Sequence, residues 1–195
     1  MLFNENLSRS HEAAFGGFSL RYAEKAKGLN GEFEIVCRDS KTGEIMEKRS
    51  GHNIIVNTAS ILIARLLKDN QEPDAGISYL AVGTGAIGWN LQSPPQPTNT
   101  QTQLFSELTR KAFNTADVNF IDPTTGDPTT LPTGVVDFAM TFAETEAVGS
   151  LTEMGLFGGD ASDLRNSGTQ VNYRTFPVLN KTNSMVMTIT FRISA

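Results

Sequence analysis

Apolar and polar residues alternate with a period of two along several stretches of the chain. In 135–142, Val136, Phe138, Met140 and Phe142 face one way while Asp137, Ala139 and Thr141 face the other. In 184–193, Met185, Met187, Ile189, Phe191 and Ile193 alternate with Ser184, Thr188, Thr190 and Arg192. Alternation of this length predicts antiparallel strands with one wet face. Residues 32–39 repeat it, with Phe33, Ile35 and Cys37 opposite Glu34 and Arg38. A Ser-Lys-Thr-Gly turn at 40–43 sends the chain back through 44–50, where Ile45, Glu47 and Arg49 oppose Met46 and Lys48. This predicts a β-hairpin with one weak face, near a sheet edge.

Other stretches break the alternation. Residues 151–157 lie between Gly149 and Gly158-Gly159, with Leu151, Met154, Leu156 and Phe157 pointing both ways. A strand apolar on both faces belongs in the middle of a packed sheet. Glu153 inside it needs a partner, and Arg110 is the first candidate. Gly155, Leu156 and Phe157 are structural positions in the same reading. Residues 77–82 predict a second strand buried on both faces. Residues 57–68 predict a helix capped by Asn57 or Thr58, with Ala59, Leu62, Ile63, Leu66 and Leu67 as its stripe. A short helix is expected over 101–109, with Leu104, Phe105 and Leu108 on one side and Glu107 and Arg110 on the other, and a strand over 111–121. Residues 122–132 and 160–168 read as loops, and 173–178 as one more short strand. The expected fold is mainly β: a two-layer antiparallel β-sandwich-like domain over 32–195, with about seven strands and one core-packed helix. Residues 1–31 carry Phe3, Phe15, Phe18 and Tyr22 without strand or helix periodicity. They read as an extended N-terminal arm that packs on a partner; a disordered leader is the alternative.

The chain has 195 residues, the length of one domain or of one domain with an arm. Sixteen Lys and Arg against 21 Asp and Glu give a formal charge of −5. That balance argues against a nucleic-acid surface, which needs clustered cations. No run of eighteen apolar residues is present, so no membrane insertion is expected. Residues 1–20 lack an apolar signal-peptide core. Cys37 is the single cysteine, which excludes an intrachain disulfide and fits a reducing compartment. On the apolar side of its strand it reads as packing, not as a nucleophile.

Several motifs resemble chemistry. Gly83-Thr84-Gly85-Ala86-Ile87-Gly88 matches a dinucleotide fingerprint after a strand, but Trp89 to Pro95 cannot supply the helix that meets a pyrophosphate. His11-Glu12-Ala13-Ala14-Phe15 starts like a zinc-protease helix with Phe in place of the second His. With His52 the only other histidine, three-ligand zinc is not expected. Asp122 and Asp127 lack the spacing of a calcium loop. Glu144, Glu146 and Glu153 are close in sequence, as glycosidase carboxylates can be, but nothing else suggests a sugar cleft. No enzyme, cofactor, metal or small-molecule substrate is expected. Trp89, alone in a glycine- and proline-rich loop, either caps the core or anchors a partner.

Four pieces occur in order: Gly51-His52-Asn53-Ile54-Ile55-Val56-Asn57-Thr58; Leu80-Ala81-Val82-Gly83-Thr84-Gly85; Leu104-Phe105-Ser106-Glu107-Leu108-Thr109-Arg110; and Thr145-Glu146-Ala147 with Leu151-Thr152-Glu153-Met154-Gly155-Leu156-Phe157. Phe176-Pro177 and Lys181 follow. This order resembles small structural proteins of tailed bacteriophage virions, of the tail-fibre, baseplate and collar kind, over 51–195. The resemblance implies an assembly or adaptor protein in the virion, made in the bacterial host cytoplasm. It implies contacts with copies of itself and with other virion proteins, and it transfers no catalytic residue. A carbohydrate- or receptor-binding β-sandwich module is the alternative; it would show exposed aromatics converging on one face, with Trp89, Tyr79 and Tyr173 as candidates.

Overall fold

The computed structural model describes residues 28–68 and 76–195. In chain order the elements are β1 (Asn30–Asp39), β2 (Ile45–Ile55), α1 (Thr58–Lys68), β3 (Ile77–Gly83), β4 (Glu107–Ala112), β5 (Val118–Ile121), β6 (Pro128–Thr129), β7 (Val135–Phe142), β8 (Gly149–Gly158), β9 (Thr169–Gln170), β10 (Asn172–Lys181) and β11 (Met185–Ser194). A 3-10 turn, Thr115–Asp117, precedes β5. Every strand pairing is antiparallel. The strand order is β4-β3-β8-β10-β2-β1-β11-β7-β5-β6, with β9 beside β8. The fold is therefore mainly β and antiparallel, with one α-helix among the described residues, as the alternation predicts.

The path divides where β10 meets β2, because only Asn172 and Tyr173 pair with Ile55 and Ile54 there. On one side lie β2, β1, β11, β7, β5 and β6; on the other β10, β8, β3 and β4. One apolar cluster joins the two halves in a sandwich-like core. It draws Phe33, Ile35, Met140, Phe142, Met187, Ile189 and Phe191 from the first half, and Leu80, Val82, Leu151, Met154, Leu156 and Leu179 from the second. In the first half the registers Ile35↔Ile189↔Met140 and Phe33↔Phe191↔Phe138 set like residues side by side across three strands. Such cross-strand rows fix the register, since a slip of one residue would turn all of them to water.

The structure departs from the pattern-based expectations at several places. The strand expected over 111–121 is broken by the Thr115–Asp117 turn into the end of β4 and β5. Eleven strands occur among the described residues where about seven were expected, because two-residue pairings leave no periodic signature. No helix forms over 101–109. The buried side chain of Leu104 and the backbone amides of Phe105 and Ser106 are held by the second half instead, and Glu107 begins β4. The β1–β2 hairpin is not simply an edge: β1 lies between β2 and β11, and only the 45–53 part of β2 lacks a second neighbour. Finally, α1 buries Ala59 and Leu62, while Ile61, Ile63, Leu66 and Leu67 stay exposed. The expected stripe is thus only half used.

Candidate interaction surface

β8 is buried along its whole length from Leu151 to Gly158. Leu151, Met154 and Leu156 enter the shared core. On the opposite side Phe157 joins a second cluster with Val56, Ala81, Leu104 and Tyr173. This outer side is closed by the chain between β3 and β4, residues 84–106. Gly155 sits under that cover because a side chain there would meet the Asn172 carbonyl and the Gln170 amide at 2.8 Å.

The cover is held by a carboxylate. Glu153 is fully buried. One oxygen accepts from the backbone N–H of Gly85 (3.1 Å) and Ser106 (2.8 Å). The other accepts from the Phe105 N–H (3.0 Å) and the Tyr173 hydroxyl (2.8 Å). Burial, and then the charge of Glu153, push the Tyr173 hydroxyl far above its ordinary pKa, so it stays a donor. The expectation that a basic residue such as Arg110 holds Glu153 is therefore incorrect. Three backbone amides and a phenol satisfy the carboxylate without a second charge, and they tie both ends of the 84–106 loop to one side chain. The Gly85 amide of the fingerprint-like run thus points at Glu153. No helix follows it among the described residues.

Arg110 does a parallel task on β4, two strands away. Its guanidinium makes a bidentate pair with Glu107 at 2.7 and 2.8 Å, both side chains almost completely buried. A register shift between Val82 and Gly83 of β3 marks a bulge in β4, which brings residues three apart onto one face. Arg110 also donates to the carbonyls of Ser162 (3.0 Å) and Ser167 (2.9 Å) and lies 4.7 Å from the centre of the Phe157 ring. Glu107 accepts the Asn166 N–H. The loop after β8 is fixed by this pair as the 84–106 loop is by Glu153.

A third clamp holds the β7–β8 turn. Buried Lys181 donates to the carbonyls of Ala143 (2.5 Å) and Glu144 (2.8 Å). Glu146 accepts from Lys111 (2.7 Å) and from the Ala143 N–H (2.8 Å), and Lys111, with this amide, holds its carboxyl below the usual range. The groove between β4 and this turn, about 390 Å³, has its charged lining groups already engaged, Lys111 with Glu146 and Arg110 with Glu107.

Among the polar residues that the loop exposes, such as Asn90, Gln92, Ser93 and Gln103, stand several apolar ones. Gly85, at φ +74°, places its turn directly under the Trp89 ring. Trp89 is half-buried and meets Phe105 edge-on at 5.0 Å. Phe105 is 55% exposed, Leu91 is exposed, and Ile87 is fully exposed. The loop is tied further along by Val178 N–H to Leu91 carbonyl (2.7 Å) and Thr175 hydroxyl to Pro95 carbonyl (2.7 Å). Trp89 therefore both caps the Gly85 turn and keeps an open edge. Tyr173 is buried and Tyr79 lies beside Arg110, so neither joins this patch. Ile87 and Leu91 were not singled out by the sequence pattern, and Phe105 read as part of one side of a helix that does not form. Phe3, Phe15, Phe18 and Tyr22 lie outside the described residues.

The remaining candidates resolve into local structure. Cys37 is buried, and burial raises its thiol to about 11. His52 is exposed, 3.8 Å from Glu32. Asp122 accepts the Thr124 N–H within its own turn. Among the described residues no group of three or more His, Cys, Asp and Glu is placed to hold a metal ion. No helix there is long and apolar enough to cross a membrane. In comparisons with known proteins, no family model matches the chain and no curated protein matches it.

Proposed function

We propose that the chain is a structural component of a tailed bacteriophage virion, an assembly or adaptor protein of the tail, baseplate, collar or fibre-attachment region. It acts by protein–protein contacts, with copies of itself and with other virion proteins, after synthesis in the bacterial cytoplasm. The observation that carries this reading is the open Trp89–Phe105 pair, with Ile87 and Leu91 exposed on the same loop. Apolar side chains in a loop normally cost solubility, yet here buried clamps fix the loop with them outward. A preorganised patch loses little entropy when a partner covers it. The pieces that resemble virion proteins are the ones that build the clamps: Gly85, Phe105, Ser106, Arg110, Glu146, Glu153 and Lys181.

The test is mass spectrometry of purified particles together with an image of them. The chain is expected in the particle at fixed stoichiometry, and a folded Ile87→Asp/Phe105→Asp variant is expected to be missing from it. Absence of the wild-type chain from particles would overturn the reading. The open Trp89–Phe105 pair favours a second reading, a carbohydrate- or receptor-binding module. Saturable quenching of Trp89 fluorescence by a sugar would establish that one instead.

A further inference from the structure

The turn that joins β5 to β6 holds two Asp–Pro bonds, Asp122–Pro123 and Asp127–Pro128. Such a bond is open to attack by its own side chain. The carboxyl can close a five-membered ring on the adjacent carbonyl carbon, and the nitrogen of this tertiary amide leaves as a basic secondary amine. Both carbonyls that would be attacked accept a backbone amide. The Asp122 N–H donates to the Asp127 carbonyl (2.9 Å), and the Gly126 N–H donates to the Asp122 carbonyl (2.8 Å). The two bonds are therefore polarised alike. Their carboxyls differ. That of Asp122 accepts from the N–H groups of Thr124 (2.7 Å) and Thr125 (3.4 Å). Asp127 is exposed, and its carboxyl accepts no hydrogen bond and forms no ion pair among the described residues.

We propose that the folded chain cuts itself at Asp127–Pro128 in mild acid. An oxygen of the Asp127 carboxyl attacks the Asp127 carbonyl carbon, and the carboxyl proton passes to the Pro128 nitrogen. The C–N bond breaks, leaving a cyclic anhydride on Asp127 and a secondary amine on Pro128. Water then opens the anhydride to a C-terminal aspartic acid. The Asp122 N–H already holds the carbonyl oxygen that gains charge in the attack. The rate rises toward about pH 4, where carboxyls regain the proton that the nitrogen needs. Asp122 is the titratable neighbour within the turn. Residues 118–121 and 128–136 carry none, and Asp137 of β7, opposite Asn119, is paired with Arg192. Asp122–Pro123 is spared because its carboxyl must first leave two amides, which slows attack by about tenfold or more. The cut does not part the fold, since β1 stays paired with β11, β3 with β8 and β5 with β7 across it. The product is a two-piece sheet with two new ends at its surface. This inference does not depend on the virion reading, since it concerns the isolated chain.

The test is a time course of the full-length protein at the lowest pH that keeps its native circular dichroism, read by mass spectrometry after denaturation. Two fragments are expected, 1–127 and 128–195, whose masses sum to that of the chain plus one water. Asp127→Asn and Pro128→Ala are each expected to stop the cut, and Asp122→Asn to leave it in place. In the folded wild type Asp127–Pro128 is expected to break at least about tenfold faster than Asp122–Pro123. In urea at the same pH, where the Thr124 and Thr125 amides no longer hold Asp122, that preference is expected to vanish. No fragments, a cut that persists in Asp127→Asn, or equal breakage of the two bonds in the folded chain would overturn the proposal. A preference kept in urea would overturn it too, because the folded turn would then not be its cause.

Discussion

The two halves of the sandwich are built from different materials. In the first, β1, β7 and β11 bury one apolar face and turn outward a face that carries Thr, Glu, Asp and Arg. Its ion pairs, such as Asp137–Arg192 and Glu34–Lys48, sit at or near the surface. In the second, β8 is buried on both faces, and Glu153, Glu107, Arg110 and Lys181 are buried with it. Polar groups in the first half keep the protein wet, whereas in the second they hold loops. The lesson is that charge removed from water needs full satisfaction, and here backbone groups of the loops provide much of it.

The largest expected effect is at the centre of the second half. Leu156 is fully buried and belongs to the core shared by both halves. Leu156→Asp places an unpaired carboxylate there, a penalty of several kcal/mol against a typical total of about 5–15 kcal/mol. No soluble folded protein is expected. A soluble variant with wild-type melting would show that β8 is not the centre.

Next comes the buried pair. Arg110→Met leaves Glu107 charged and buried and removes the donor from the Ser162 and Ser167 carbonyls. The expected loss is about 3–5 kcal/mol, measured by denaturant unfolding. A loss below about 1 kcal/mol would erase the distinction between the halves.

Glu153→Gln is expected to cost about 3 kcal/mol, because the new NH₂ must face N–H or O–H donors. The chain has one tryptophan, so Trp89 emission reads this loop directly. A red shift at full native circular dichroism is the expected signature. Unchanged emission would mean that Glu153 does not hold the loop.

These predictions also mark what was legible. The first half could be read because period-two alternation is the direct trace of one wet face, and Val135–Phe142 appears as a strand with the expected bounds. Residues 151–157 lie at the centre as their pattern predicts, because a strand apolar on both faces must be covered on both. What sequence could not show was the partner of Glu153. Its donors are backbone amides at Gly85, Phe105 and Ser106, and every residue except proline carries such an amide. A charge-matching rule therefore pointed to Arg110. The exposed patch was hidden for a related reason. Leu104 and Phe105 look alike in composition, yet one is fully buried and the other is open. Only the bond from the Phe105 amide to Glu153 decides which way each turns.

The core of the first half gives a pH test. The Cys37 thiol rises from 9.0 to about 11, chiefly through burial. Below pH 9 both folded and unfolded chains hold the proton, so stability is unaffected. Between pH 9 and 11 the unfolded chain releases it and the folded one does not, so stability falls with rising pH, by about 2–3 kcal/mol in all. Unfolding titrations at pH 8 and 11 should show this component in the wild type and its absence in Cys37→Ala. An equal drop in both would place the thiol in water.

The smallest effect is expected where the comparison is most direct. Asp137 and Arg192 form a bidentate pair at 2.7 and 2.8 Å, the same geometry as Glu107 and Arg110. The difference is environment: the Arg192 side chain is 37% exposed and that of Arg110 is 2%. Water already solvates part of the Asp137 pair, and it can solvate the carboxylate left behind. Arg192→Met is therefore expected to cost below about 1 kcal/mol, and less still in high salt. Measured beside Arg110→Met under identical conditions, the two values isolate burial from geometry. Equal losses would mean that hydrogen-bond geometry alone sets the strength of these pairs. A loss at Arg192 larger than at Arg110 would reverse the assignment of the two halves.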